Sequence, residues 1–154
     1  MKLISHRGNI NGPMESWENE PTYIDLAIAK GYDVEVDVWY KDNILWLGHD
    51  KPQYSINIKW LEDRISKLWI HCKNIEAMEF FNDNFETFPF NYFWHENDTV
   101  TLTSLNYMWA FPNKQPIKNS ISVMPELYND DVSSAIGICS DIIKNYNVDS
   151  LKNI

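Results

Sequence analysis

A chain of 154 residues suits one domain and is short for two. Hydrophobic residues at 44% and aromatics at 14% exclude a disordered chain and imply a packed core. A formal charge of −9, with no run of Lys or Arg to offset it, disfavours nucleic acid as a partner. Cys72 and Cys139 form neither a disulfide framework nor a CxxC metal pair. The opening residues turn polar too early for a signal peptide, and no apolar run approaches a membrane span. A cytoplasmic location without membrane insertion is the expectation.

In chain order, short apolar runs alternate with segments of helical spacing, the pattern of an α/β fold. Lys2 to Ser5 reads as a strand running into His6-Arg7-Gly8. After a loop, Pro21 suits the first turn of a helix behind Asn19 or Glu20, and Gly31 suits its end. Asp33 to Tyr40, DVEVDVWY, alternates strictly, so Val34, Val36 and Val38 share one face and Asp33, Glu35 and Asp37 the other. A turn at Lys41-Asp42-Asn43 returns Ile44 to Leu47 as a strand ending in Gly48-His49-Asp50. Ile58, Leu61 and Ile65 mark a helix, Leu68 to Lys73 a strand, and Ile75, Met78 and Phe81 or Phe85 another helix. Further strands are expected at Asn91 to His95, Val100 to Ser104, Tyr107 to Phe111, Ile121 to Met124 and Ile136 to Cys139.

Glu35 and Asp37, two positions apart on one strand face, lie about 7 Å apart along the chain, near enough to share a divalent cation. Hard carboxylate oxygens favour Mg²⁺ or Ca²⁺, with Mn²⁺ also possible. His6 and His49 each end an apolar strand, and a pair of imidazoles can act as general acid and base near neutral pH. Arg7 can grip a phosphate oxygen through its planar guanidinium.

Taken together, these residues resemble the glycerophosphodiester phosphodiesterase family, within the PLC-like phosphodiesterases built on a TIM barrel. The resemblance rests on His6-Arg7-Gly8, Glu18-Asn19, Glu35-Val36-Asp37-Val38 and His49-Asp50, in that order. Trp17 stands where the family has a proline before its Glu-Asn pair. After residue 50 the match thins. His71-Cys72-Lys73 occupies the place of a Glu-x-Lys strand, and Gly137 to Asp141 looks like the last barrel strand. The chain is shorter than the roughly 200 residues of an ordinary barrel. A reduced or incomplete TIM-type barrel, with about seven or eight short strands and a thinned helical layer, is therefore expected over residues 1–154.

The resemblance implies a phosphodiesterase using one divalent cation on a small glycerophosphodiester-like substrate. His6 and His49 would be catalytic, Glu35 and Asp37 metal ligands, and Arg7 and Lys73 phosphate-binding. His71 either binds the metal through a neutral ring nitrogen or lines the site. Glu18 would hold a substrate hydroxyl or support a histidine. His95 reads as structural, and Tyr107 and Trp109 as core or as an aromatic wall. The alternatives are a catalytically decayed barrel that binds a phosphorylated ligand, or a related enzyme acting on a phospholipid or a phosphodiester-linked glycan. A thin helical layer leaves apolar surface that either the chain's own aromatics or a homodimer would cover.

Overall fold

The structure, a computed structural model, describes residues 1–146. The expected domain of residues 1–154 runs on into residues 147–154, which lie outside the described residues. Among the described residues, strands β1 (Lys2–His6), β2 (Asp33–Lys41), β3 (Ile44–Leu47), β4 (Tyr54–Ile56), β5 (Leu68–Cys72), β6 (Tyr92–Phe93), β7 (Val100–Leu102), β8 (Met108–Ala110), β9 (Ser120–Val123) and β10 (Gly137–Ser140) form one sheet. Three α-helices accompany it, α1 (Pro21–Ala29), α2 (Ile58–Glu62) and α3 (Ile75–Asp83). No helix among the described residues is long and apolar enough to cross a membrane.

Seven of these strands run parallel in the order β6-β5-β2-β1-β10-β9-β8. Chain order and spatial order agree around the whole sheet, with the last strand returning beside the first. The sheet therefore curls into an open, barrel-like wall. The hairpin β3-β4 extends antiparallel from the end of β2, and β7 pairs antiparallel with β8. The three α-helices of the described residues all end by Asp83, and among them α1 connects β1 to β2 and α3 connects β5 to β6. After α3 the chain returns through loops and 3₁₀ turns at Pro125–Leu127 and Ile143–Tyr146, so the helical layer is incomplete among the described residues.

The strict alternation of β2 explains how the wall divides its side chains. Val34, Val36 and Val38 face outward and join Ile24, Ala27, Leu68, Ile70, Ala77 and Phe81 in the core beneath the helices. The opposite faces contribute Ile4, Trp69, Phe93, Trp109, Ile121, Val123 and Cys139 to a second, inner core. No ladder joins β6 to β8 among the described residues, and aromatic rings cross that seam instead. Trp109 packs on Phe93 and Trp69 with ring centroids 4.7 Å and 5.6 Å away. Ser104 N also donates to Tyr92 O at 2.8 Å, tying the β7-β8 turn to β6.

Several expectations change in detail. The Ile58 helix stops at Glu62, after which i→i+3 bonds from Arg64 and Ile65 tighten the chain into turns. Arg64 then grips both carboxylate oxygens of Asp25 on α1. The strand expected over Asn91 to His95 shortens to Tyr92–Phe93, because a ladder supports it on the β5 side only. Strand β4 carries too little alternation to be seen in advance. At the hairpin turn, Asp42 and Asn43 both adopt positive φ, at 52° and 60°, as a tight two-residue turn requires.

Trp109 is 3% exposed and bridges the seam, so Trp109→Ala should cost about 3–5 kcal/mol in urea denaturation, without a change of topology.

Candidate functional site

Strand polarity and face together bring one set of residues to a single point. His6 ends β1, Glu35 and Asp37 lie on β2, His71 lies on β5, and Lys73 follows it. In the ladders His6 is level with Glu35, and Asp37 with His71, so adjacent strands place these side chains side by side. His49 arrives from the hairpin. There Gly48 adopts φ +150°, and a Cβ would meet Lys51 O at 2.1 Å, so only glycine permits this turn. Trp39 Nε1 donates to Gly48 O at 2.6 Å and holds the turn in place.

At the centre, one ligand atom each from Glu35, Asp37 and His71 lies within 4.8 Å of the others, a cluster capable of coordinating a metal ion. Both carboxylates are buried, Asp37 completely. Glu35 Oε2 and Asp37 Oδ1 have no hydrogen-bond partner, although nearly all buried polar atoms in folded proteins do. His71 Nδ1 stands 3.1 Å from Asp37 Oδ1 and 3.8 Å from Glu35 Oε1. A cation fits this arrangement, since it would satisfy two buried oxygens that protein atoms leave unpaired.

The two carboxylates differ in charge. Burial and the neighbouring Asp37 charge raise the Glu35 pKa above the usual carboxylate range. Burial also acts against ionised Asp37, but His49, His71 and Arg7 outweigh it and hold Asp37 well below that range. Asn19 adds to this hold. Its Nδ2 donates to Asp37 Oδ2 at 2.9 Å while its Oδ1 accepts from Asp37 N at 2.9 Å.

Around this centre, His6 Nδ1 lies 2.8 Å from Asp141 Oδ1, and its Nε2 lies 3.8 Å from Glu35 Oε2. Burial lowers the His6 pKa, yet the Asp141 bond and the Glu35 charge prevail, so the net shift is upward. Asp141 shifts downward against burial, chiefly through the same bond. Arg7, at φ 54°, directs Nη1 to Glu18 Oε2 at 3.0 Å. Its Nε approaches Asp37 Oδ2 at 3.0 Å, but the pair is not aligned as a hydrogen bond. Lys73 Nζ lies 3.6 Å from Asp37 Oδ1. Asn9 links the periphery by donating to both Glu18 and Asp141 at 2.8 Å.

His49 is 42% exposed, with Nδ1 3.4 Å from Asp37 Oδ2 and Nε2 3.4 Å from Arg7 Nη2. A guanidinium can only donate, so the Arg7 contact suits a lone pair on Nε2 and a proton on Nδ1 facing Asp37. Asp50 Oδ1, 3.5 Å from the same Nε2, would favour the opposite tautomer. Its carboxylate is 91% exposed and therefore screened, so the less exposed Arg7 contact governs.

Two cavities meet at His6, Arg7 and His49. One, of about 520 Å³, is rimmed by Glu15, Glu18, Asp50 and Asp141. The other, of about 350 Å³, runs past His71 and Lys73 to an aromatic wall of Phe93, Trp109 and Phe111. His95 lines this second cavity, stacked on Phe111 with Nδ1 3.3 Å from Asp98. Tyr107 does not reach it and packs on Trp69 beside Lys2, at the start of β1. The sequence singles out no chemical role for Asn9, Asn19 or Asp141. Asp141 has a signal in its place just after the last strand, and Asn19 in the Glu18-Asn19 pair. The two asparagines act through loop geometry that no periodicity reports.

Comparisons with protein-family models, with curated proteins and with solved structures return no match to this chain. The fold and the buried cluster thus define a barrel-like domain with a candidate metal centre, consistent with an enzyme, and no particular family is shown.

The His6–Asp141 pair carries a pH signature. A raised His6 pKa stabilises the fold below its unfolded value of about 6.5, and that stability fades as pH rises through the folded pKa. A lowered Asp141 pKa stabilises above about 3.9 and fades as pH falls through the folded pKa. Asp141→Asn should therefore destabilise the metal-free protein most between about pH 4 and 6.5 and less at alkaline pH. NMR titration should show the His6 pKa falling in this variant. Gly48→Ala should displace His49 and cost at least about 1 kcal/mol, read by denaturation and by loss of the His49–Arg7 contact in a crystal structure.

Proposed function

We propose that this chain is a metal-dependent phosphodiesterase of the PLC-like type on a reduced TIM-type barrel. Its substrate would be a small, glycerophosphodiester-like molecule, cleaved to an alcohol and a phosphomonoester. The observation that carries this reading is the meeting of two histidines, in different settings, with Arg7 above a buried carboxylate–imidazole centre. The order of the sequence motifs supports it further.

Glu35, Asp37 and His71 would hold one divalent cation, from the set Mg²⁺, Ca²⁺ or Mn²⁺. When bound, the cation supplies charge neutralisation on a non-bridging phosphate oxygen. Arg7 and Lys73 take the remaining negative charge and stabilise it as the pentacoordinate transition state forms. Glu18 and Asn9 keep the Arg7 guanidinium aimed at the cleft.

The two imidazoles take opposite roles. His49, with its lone pair on Nε2, removes the proton of the attacking hydroxyl, either from water, which gives the phosphomonoester directly, or from a substrate hydroxyl, which gives a cyclic phosphate that water then opens to the monoester. The new P–O bond forms as the opposite ester P–O bond breaks. His6, its pKa raised beside Asp141, enters protonated and donates from Nε2 to the leaving alkoxide. Asp141 holds the ring by Nδ1 and leaves Nε2 toward the cavity.

The test is release of alcohol from a panel of glycerophosphodiesters and aryl phosphodiesters with Mg²⁺, Mn²⁺ or Ca²⁺. His6→Gln and His49→Gln should each lower kcat roughly 10²–10⁴-fold while leaving the circular dichroism spectrum unchanged. Substrates with a good leaving group should partly rescue His6→Gln but not His49→Gln, because only the former lacks the acid. No hydrolysis across the panel with any of the three metals would overturn the enzyme reading.

A further inference from the structure

The proposed centre requires a cation, and the surroundings of His71 bear on which one. Ca²⁺ takes six to eight oxygen ligands, and Mg²⁺ also prefers oxygen. Among the described residues the cluster offers two carboxylates and one imidazole. The other acidic groups that line the two cavities are bonded elsewhere or exposed at the rim, Glu15 and Glu96 among the exposed ones. Glu18 is bonded to Arg7 and Asn9, Asp141 to His6 and Asn9, and Asp50 points into solvent. The protein therefore supplies few hard donors and one nitrogen.

The imidazole is also held as a ligand would be. Its ring lies on Phe93, with centroids 5.3 Å apart and planes at 6°. His71 Nε2 faces the His95 backbone oxygen at 3.5 Å, a long contact in which the carbonyl can only accept. With a cation bound, this contact would hold the proton on Nε2 and turn the lone pair of Nδ1 toward Glu35 and Asp37. A ring nitrogen turned to a carbonyl, with the other free to ligate, is the arrangement that orients metal-binding histidines. Nδ1 and Asp37 Oδ1 approach to 3.1 Å without an aligned hydrogen bond, and Asp37 Oδ1 is buried and unpartnered.

We propose that His71 ligates through Nδ1 and makes this centre select a first-row transition ion, from Mn²⁺ to Zn²⁺, over Mg²⁺ and Ca²⁺. The proposal rests on the reading of Glu35, Asp37 and His71 as the metal centre. Imidazole is a borderline donor that suits these ions and adds little for Ca²⁺ or Mg²⁺. Phe93 and the His95 carbonyl act as positioning groups for the ring.

Isothermal titration of the metal-free protein with each ion separately, and pulsed EPR of the Mn²⁺-loaded protein, test the proposal without any substrate. Mn²⁺ and Zn²⁺ should bind at least roughly tenfold more tightly than Mg²⁺ or Ca²⁺. Bound Mn²⁺ should show coupling to a directly ligated ¹⁴N nucleus. His71→Glu should retain Mn²⁺, lose the nitrogen coupling and move the affinity ratio toward Ca²⁺ by at least tenfold. Should that variant fail to fold, the nitrogen coupling of the unaltered protein still decides. Mn²⁺ bound without nitrogen coupling, or Ca²⁺ bound as tightly as Mn²⁺, overturns this proposal and leaves the phosphodiesterase reading standing. Failure of every ion to bind overturns both.

Discussion

Two carboxylates on the inner face of one strand impose the constraint around which this molecule is arranged. Glu35 and Asp37 are buried, with donor oxygens less than 4.8 Å from one another. Two full charges at that separation repel by roughly 3 kcal/mol, even at an effective dielectric constant of 20. Burial adds a desolvation cost of several kcal/mol for each ionised group. A fold of marginal stability tolerates such a pair only with compensation close by. Arg7, His6, His49, His71, Lys73 and Asn19 all direct a donor or a positive charge at this pair or its immediate surroundings. The compensation is unequal, so Asp37 keeps its charge while Glu35 is biased toward its protonated form. Two oxygens still lack partners, which is why a cation fits the centre.

The parallel sheet makes the compensation possible. Seven strands in one direction deliver their C-terminal ends to one rim, so residues distant in sequence converge there. Chain order around the sheet also brings β10 beside β1, which sets Asp141 against His6 across 135 positions. The cost of so short a chain appears at the seam between β6 and β8, where the aromatic cluster replaces a hydrogen-bonded ladder. This cluster also walls one of the two cavities, so the same rings that hold the wall together shape the space beside the candidate metal centre.

In the proposed reading the site divides into parts with separate chemical tasks. The centre would offer oxygen and nitrogen donors to a cation, while Arg7 and Lys73 would offer positive charge to an anion. The two histidines differ through their neighbours, since His6 lies between the Asp141 and Glu35 carboxylates, whereas His49 lies between Asp37 and the Arg7 guanidinium. In the proposed mechanism this contrast between like groups would let one pocket provide both an acid and a base near neutral pH. The asparagines do no proton chemistry, but Asn9 and Asn19 fix the carboxylates on which everything else is oriented.

Periodicity and turn chemistry made much of this legible in the sequence. The alternation of DVEVDVWY determined that Glu35 and Asp37 share a face, because side chains on a strand point alternately to opposite sides. Pro21 and Gly31 bracketed α1, and the Asp42-Asn43 turn determined the hairpin that carries His49. Only the tertiary structure decided that this face of β2 points inward, because outer helices covered the valines instead. It also decided that Tyr92–Phe93 is a two-residue strand, since ladder support comes from the neighbours and not from local propensity. The roles of Asn9, Asn19 and Asp141 arise from loops and long-range pairing, where no local pattern shows which side chains will meet. Sequence determined which side chains share a strand face; the curvature of the sheet decided which faces meet, because only closure of the wall brings distant strands within reach of one another.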